Sequence, residues 1–341
     1  MRSMHLALVC AVAWATVAVC SANLKFKILH FNDFHARIEP DSEGHGHCFS
    51  HHQDEGRCHG GMARMKTLID EERKDDLPMY ILNAGDDFVG TEWNTQYKGK
   101  ANAHFMKKLG ITAMTLGNHE FDWGPDVLLD FVKSIDYPVI SSNFKANGHP
   151  LGEFVKDYIT IDVNGTKVGI CGPSTQYTNT GSKPWPGEMT KWFPAAKRCV
   201  WRLRHREKAK IVIVLTHVGF DGDQKIARHI GGVDLVIGGH THAFLYSGTA
   251  PLLSKKAGTR DWPVGEYPTW VESRVKPGTK VPVVQAKAFG RYVGRIVMEF
   301  DKKGNLLEFD GYPMLMGDED SERPVAMDGD IEKEVKEWRK W

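Results

Sequence analysis

Five short polar patches, each directly after a strand-like apolar run, constrain this chain more than any other feature. They read Asp33-Phe34-His35, Gly85-Asp86, Gly117-Asn118-His119-Glu120-Phe121-Asp122, Thr216-His217 and Gly239-His240-Thr241-His242. Residues this far apart in sequence can serve one site only if their strands end at a common edge, as in an open α/β sheet. The runs before them are residues 24–31, 79–82, 113–116, 211–215 and 233–237. Helical periodicity falls between them, over residues 61–73, near 101–109, from Pro125 to about 135, over 194–207 and over 222–230. This rhythm of strand, polar tip and helix predicts an α/β fold.

A hairpin interrupts the rhythm. Residues 158–163 and 167–171 flank Asn164-Gly165, a strong two-residue turn signal. Residues 281–288 and 293–300 read as antiparallel strands, with a further strand at 306–309. Mixed strands of this kind suggest two packed sheets with helices outside. An acidic, loop-like segment, 318–330, precedes a final helix with Ile331, Val335 and Trp338 on one face.

The N-terminus reads as a targeting segment. Arg2 is its positive region, residues 6–19 its apolar run, and Cys20-Ser21-Ala22 its cleavage signal. Residues 1–22 are therefore expected to be removed, and the mature chain to begin near Asn23. The charged end, Glu332 to Lys340, lacks the apolar tail of a lipid-anchor signal. A freely secreted, extracellular protein without a membrane anchor is expected. The sequence holds 44 basic and 43 acidic residues, and loss of Arg2 leaves 43 of each. Nothing in that balance predicts binding to nucleic acid or a membrane surface, and no protein partner is identified.

The patches combine carboxylates, imidazoles and an amide, without thiolate. Phosphate esters and anhydrides resist water because the nucleophile must approach an anion. Two divalent cations about 3.5–4 Å apart answer this by neutralising the phosphate and lowering the pKa of a bound water. Asp86 is the candidate bridging carboxylate. Asp33, His35 and His242 complete one metal site, and Asn118, His217 and His240 the other. Nitrogen and oxygen ligands suit Zn²⁺, Mn²⁺ or non-haem iron. Zn²⁺ is the first expectation, with Mn, Fe, Mg or Ca the others. His119 and Asp122 lie three apart just past a strand. His119 is read as an acid that steadies the phosphate or protonates the leaving oxygen, and Asp122 as the group that orients it and raises its pKa.

Each patch alone is ordinary. Asp-x-His is common in surface turns, Gly-Asp ends many strands, and Asn118-His119-Glu120 could cap a helix. Their joint occurrence at successive strand ends carries the reading. His45, His47, His51, His52 and His59 form a denser cluster. It is read as a solvated loop closed by Cys48–Cys58, without a strand to fix a geometry. With Cys10 and Cys20 removed, Cys48, Cys58, Cys171 and Cys199 remain. Four cysteines allow three connectivities; Cys48 with Cys58 is expected, and Cys171 with Cys199 is left open. Asn164-Gly165-Thr166 is a glycosylation sequon on the hairpin turn. Asp87 is read as structural, and Trp123, Phe244 and Tyr246 as rim packing.

The chain resembles the 5′-nucleotidase/apyrase family of calcineurin-like metallophosphoesterases. The resemblance runs from about Leu24 to Trp341. It rests on residues 30–35 (HFNDFH), 60–64 (GGMAR), 84–86 (AGD), 117–122 (GNHEFD), 238–242 (GGHTH), 282–286 (PVVQA) and 289–294 (FGRYVG). In texture it is similar to animal ecto-nucleotidases and to secreted salivary apyrases of blood-feeding arthropods. The resemblance implies a four-layer α/β/β/α sandwich with mixed sheets and the ligand set given above. It also implies attack by a metal-bridging hydroxide on extracellular ATP, ADP or AMP, with an anti-platelet role in saliva or venom. The catalytic domain would span residues 23–317, and 318–341 would be a linker and the start of an inter-domain helix. The family's C-terminal domain, which holds the base-stacking aromatics, is expected to be absent. The alternatives are a secreted, non-catalytic binder of nucleotides or of a host surface protein, and a phosphodiesterase on the same centre.

Overall fold

The structure is a computed structural model that describes residues 23–340. The expected signal segment, 1–22, lies outside the described residues.

Two mixed sheets form the centre. Reading across the seven-stranded sheet, the strands are Leu306–Leu315, Tyr292–Phe300, Leu24–Phe31, Met79–Asn83, Ala113–Thr115, Val139–Ile140 and Val155–Lys156. The six-stranded sheet runs Thr269–Glu272, Lys280–Val284, Leu235–Ile237, Ile211–Leu215, Thr166–Cys171 and Tyr158–Val163. Strand alternation sorts the apolar side chains into three cores. Phe26, Ile28, Leu82 and Ile296 of the first sheet meet Ile170, Ile213, Leu215 and Ile237 of the second. On the outer face of the first sheet, Leu29 and Phe31 pack with Met65, Phe105, Leu128 and Ile331 from its helices. On the outer face of the second, Val212, Val214 and Val236 pack with Val200, Leu203 and Ile226. Three cores between four layers give the expected α/β/β/α sandwich. The strand Ile211–Leu215 is buried on both faces, which is why it reads as an unbroken aliphatic run.

The helices Met62–Glu72, Pro125–Ser134, Trp192–His205 and Phe220–His229 match the periodicity. The stretch before residue 109 is two helices, Glu92–Tyr97 and Lys100–Lys107, separated where Lys98 and Gly99 turn to positive φ. The final helix, Gly329–Trp338, buries Ile331 and Val335. The hairpin turn is as expected, with Asn164 and Gly165 both at positive φ.

One expectation about pairing is corrected. Lys280–Val284 and Tyr292–Phe300 are not partners: they lie in different sheets. The first pairs antiparallel with Thr269–Glu272, the second with Leu24–Phe31 and Leu306–Leu315. The expected strand at 306–309 continues to Leu315, past Pro313. It is an edge strand, where a missing N–H costs no ladder bond.

Candidate metal centre

The polar tips converge where parallel strands end. Leu24–Phe31, Met79–Asn83 and Ala113–Thr115 run parallel in the first sheet, and Ile211–Leu215 and Leu235–Ile237 in the second. Asp33, His35, Asp86, Asn118, His217, His240 and His242 follow these strands within a few residues. The backbones of the first two tips are laced together: Asp33 N–H donates to Gly85 O at 2.8 Å, and His35 N–H to Asp86 O at 2.9 Å. Asp33, His35, Asp86, His240 and His242 all have positive φ. Five non-glycine residues in that sparsely populated region mark a backbone bent for a purpose other than stability.

Among the described residues, two groups of acidic and imidazole side chains bring their ligand atoms within 4.8 Å of one another. One is Asp33, His35 and His242; the other is Asp86, His217 and His240. His35 Nε2 is 3.2 Å from His242 Nε2, and His242 Nε2 is 3.3 Å from Asp33 Oδ1. His217 Nε2 is 2.9 Å from Asp86 Oδ2 and 3.9 Å from Asp33 Oδ1. Asp33 thus approaches members of both groups, a position expected only of Asp86.

The tautomers follow from the backbone. His217 Nδ1 lies 2.6 Å from Ala84 O and His35 Nδ1 lies 3.1 Å from Phe88 O. A carbonyl accepts only, so each Nδ1 carries the proton and each Nε2 presents a lone pair inward. His217 Nε2 then meets the Asp86 carboxylate lone pair to lone pair, and it has no hydrogen-bond partner. Asn118 Oδ1 is likewise buried without a partner. His217 Nε2 and the Asp86 carboxylate, two acceptors buried against each other, are stable only with a cation between them, so this pair fits divalent metal. A proton can stand in for it: burial opposes charge on His217, yet Asp86 and Asp33 push its pKa up to about 10. Burial holds His35 and His240 below the ordinary histidine range.

His119 stands beside this cluster, its ring 5.2 Å from that of His35. Its Nδ1 is 2.6 Å from Asp122 Oδ2, which leaves Nε2 free. The hydrogen bond to Asp122, against the opposing effect of burial, pushes its pKa up to about 9. His119 N–H also donates to Asp86 Oδ1 at 2.8 Å. Gly117 permits this approach, since a Cβ there would stand 2.1 Å from Asp86 Oδ1.

Three residues that hold the tips carry no ligand signal in the sequence. Glu120 is fully buried, and its carboxylate accepts from the backbone N–H groups of Asp86, Asp87 and Gly117 at 3.0, 2.6 and 2.6 Å. Burial pushes its pKa up to about 7. Gln285 ties the histidine loop. Its Nε2 donates to Gly239 O at 3.1 Å and to Asp223 Oδ2 at 2.7 Å, and its Oε1 accepts from Ala243 N at 3.1 Å. Phe289, at φ +61°, packs its ring 5.5 Å from His35 and 5.1 Å from His242. Glu120, Gln285 and Phe289 all fall in the segments that carry the family resemblance, which was the available signal.

The histidine-rich loop is corrected in part. His59 is buried, with its Nε2 3.0 Å from Leu253 O, and the ring of His45 lies 4.7 Å from that of Phe289. A short ladder, Asp41–Ser42 against Cys58–His59, gives the loop the strand that the sequence hid. Cys48 pairs with Cys58 and Cys171 with Cys199, at Cα separations of 5.8 and 6.2 Å. Asp87 is structural, its carboxylate accepting from Asn83 Nδ2 at both oxygens. Phe244 is buried against Tyr292, and Trp123 donates to Asn94.

The chain is also similar to known proteins. Residues 26–244 match the family described as calcineurin-like phosphoesterase. The chain is 39% identical over 322 residues to a 5′-nucleotidase of Bos taurus, covering 92% of this chain and 52% of the relative. It is 39% identical over 326 residues to a snake venom 5′-nucleotidase of Gloydius brevicauda, covering 94% and 52%. It superposes on a 5′-nucleotidase precursor from Thermus thermophilus with a TM-score of 0.80 and 34% identity, over 92% of this chain and 58% of the other. The chain spans about half the length of the curated relatives it matches.

Proposed function

Because this chain belongs to the calcineurin-like phosphoesterase family, we propose that it is a secreted hydrolase that releases phosphate from extracellular nucleotides, ATP, ADP or AMP, with two divalent cations. The observation that carries the reading is His217 Nε2, buried 2.9 Å from the Asp86 carboxylate, within one of two neighbouring acid–imidazole groups. The 5′-nucleotidases among its relatives support a nucleotide substrate, and the venom protein supports secretion. No described helix is long and apolar enough to cross a membrane. The catalytic unit in this reading is residues 23–317, with 318–341 a connecting segment. Asn164, exposed at its turn, is the proposed glycosylation acceptor.

Asp33, His35 and His242 would hold one cation, and Asn118, His217 and His240 the other, with Asp86 between them. Zn²⁺ suits the mixed ligands best. When bound, the pair neutralises the phosphate and lowers the pKa of a bound water. The chain's own residues do the rest. Ala84 O and Phe88 O fix the imidazole tautomers. Asp122 keeps His119 protonated at neutral pH, so its free Nε2 can give a proton to the departing oxygen.

The test is phosphate release from ATP, ADP and AMP side by side, with metal content determined on the same sample. Release is expected with divalent metal and lost on chelation. His119→Ala should lower kcat roughly 100-fold or more while keeping its metal. Metal-replete protein that releases phosphate from none of the three would sink the reading.

A further inference from the structure

The loop after Cys171 is fastened to the centre at two points. Thr175 N–H donates to His217 O at 2.9 Å, and Lys183 N–H donates to Phe121 O at 3.2 Å, two residues past His119. Between them, Asn179 locks the loop's shape: its Nδ2 donates to Met189 O and its Oδ1 accepts from Met189 N, both at 2.8 Å. This braced segment carries Tyr177, whose side chain the fold does not bury. Tyr177 is 57% exposed, and its ring centroid lies 6.3 Å from that of His240. The ring rests over Gly181, where a Cβ would stand 2.2 Å from a ring carbon. A large aromatic is thus held in a fixed place, on a rigid loop, one ring away from a metal-group histidine.

We propose that Tyr177 is a specificity-determining residue that packs its ring against the nucleoside of a nucleotide whose phosphate lies on the metal groups. The inference rests on the reading of the centre as a nucleotide phosphohydrolase. With the phosphate at Asp86, His217 and His240 and the leaving oxygen at His119, the nucleoside must emerge beside the loop that joins those two points. An aromatic face there meets any base, because every base has a π-face. The contact would favour nucleotides over phosphate esters without a base and would discriminate weakly among bases.

The experiment compares AMP with ribose 5-phosphate, which keeps the phosphate and sugar and lacks the base. Tyr177→Ala is expected to lower the ratio of kcat/KM for AMP to that for ribose 5-phosphate roughly tenfold, through KM for AMP. Tyr177→Phe should keep the parent ratio. An unchanged ratio in Tyr177→Ala overturns the proposal, including when both substrates lose activity equally, since that marks a structural role. If the parent hydrolyses neither substrate, the phosphohydrolase reading is judged separately, on ATP and ADP. Equilibrium binding of AMP to Zn²⁺-loaded protein then decides Tyr177. Weaker binding by Tyr177→Ala than by the parent upholds it; equal binding, or no binding by the parent, overturns it.

Discussion

His30 shares the strand that delivers Asp33, yet it stands outside both metal groups. Its ring is fully buried, with Nε2 2.8 Å from the Tyr267 hydroxyl and Nδ1 unpartnered. Burial pushes its pKa down to about 3, from an ordinary value of 6.5. The native state therefore refuses a proton that the unfolded chain accepts. Above pH 6.5 this has no effect; as pH falls from 6.5 towards 3, stability drops by about 1.4 kcal/mol per pH unit. Urea unfolding between about pH 7.5 and 4.5 should show a shallower loss for His30→Gln than for the parent, and equal slopes would contradict it. At this scale the sequence was uneven. Asp33, Asp86 and His217 were legible because each ends an apolar run. Glu120 was not, because two of its backbone partners, the N–H groups of Asp86 and Asp87, lie more than thirty residues away.

The segment after Val284 shows why element boundaries misled. Gln285-Ala286-Lys287-Ala288-Phe289 keeps a strand's alternation, and Ala286 and Ala288 are buried as a strand would bury them. Lys287, Phe289 and Gly290 nevertheless have positive φ, so the chain leaves the sheet and wraps the metal centre. Tertiary bonds decide this, and Gln285 makes three of them. Gln285→Ala would strand Asp223, Gly239 O and Ala243 N without their partner. At about 1–3 kcal/mol for a buried group left unsatisfied, a loss of roughly 3 kcal/mol or more is expected. The loop carrying His240 and His242 should loosen with it. Thermal unfolding and metal analysis would check this; a variant with parental Tm and full metal content would refute the bracing role. The expected strands that matched, such as Ile211–Leu215, lie between two cores, where burial alone sets their limits.

Across the whole molecule, the α/β/β/α layering was legible because strand periodicity and helix periodicity alternate cleanly along the chain. Which strands share a sheet was not, since pairing across the sandwich is a property of the packed state. The centre sits where the two sheets meet. Asp33, His35, Asp86 and Asn118 come from the tips of the first, and His217, His240 and His242 from the tips of the second. A bound ion would then act as a rivet through the sandwich. His35 and His242 are 207 residues apart, and one cation held by both closes that long loop. At about a hundred times its dissociation constant, one ion adds about 2.7 kcal/mol to stability. Chelation should accordingly lower Tm by several degrees and expose amides of both sheets to hydrogen exchange together. Exchange that rises in one sheet alone would show that the halves are not joined there. On this view the metals hold the protein's two halves together as well as serving its chemistry.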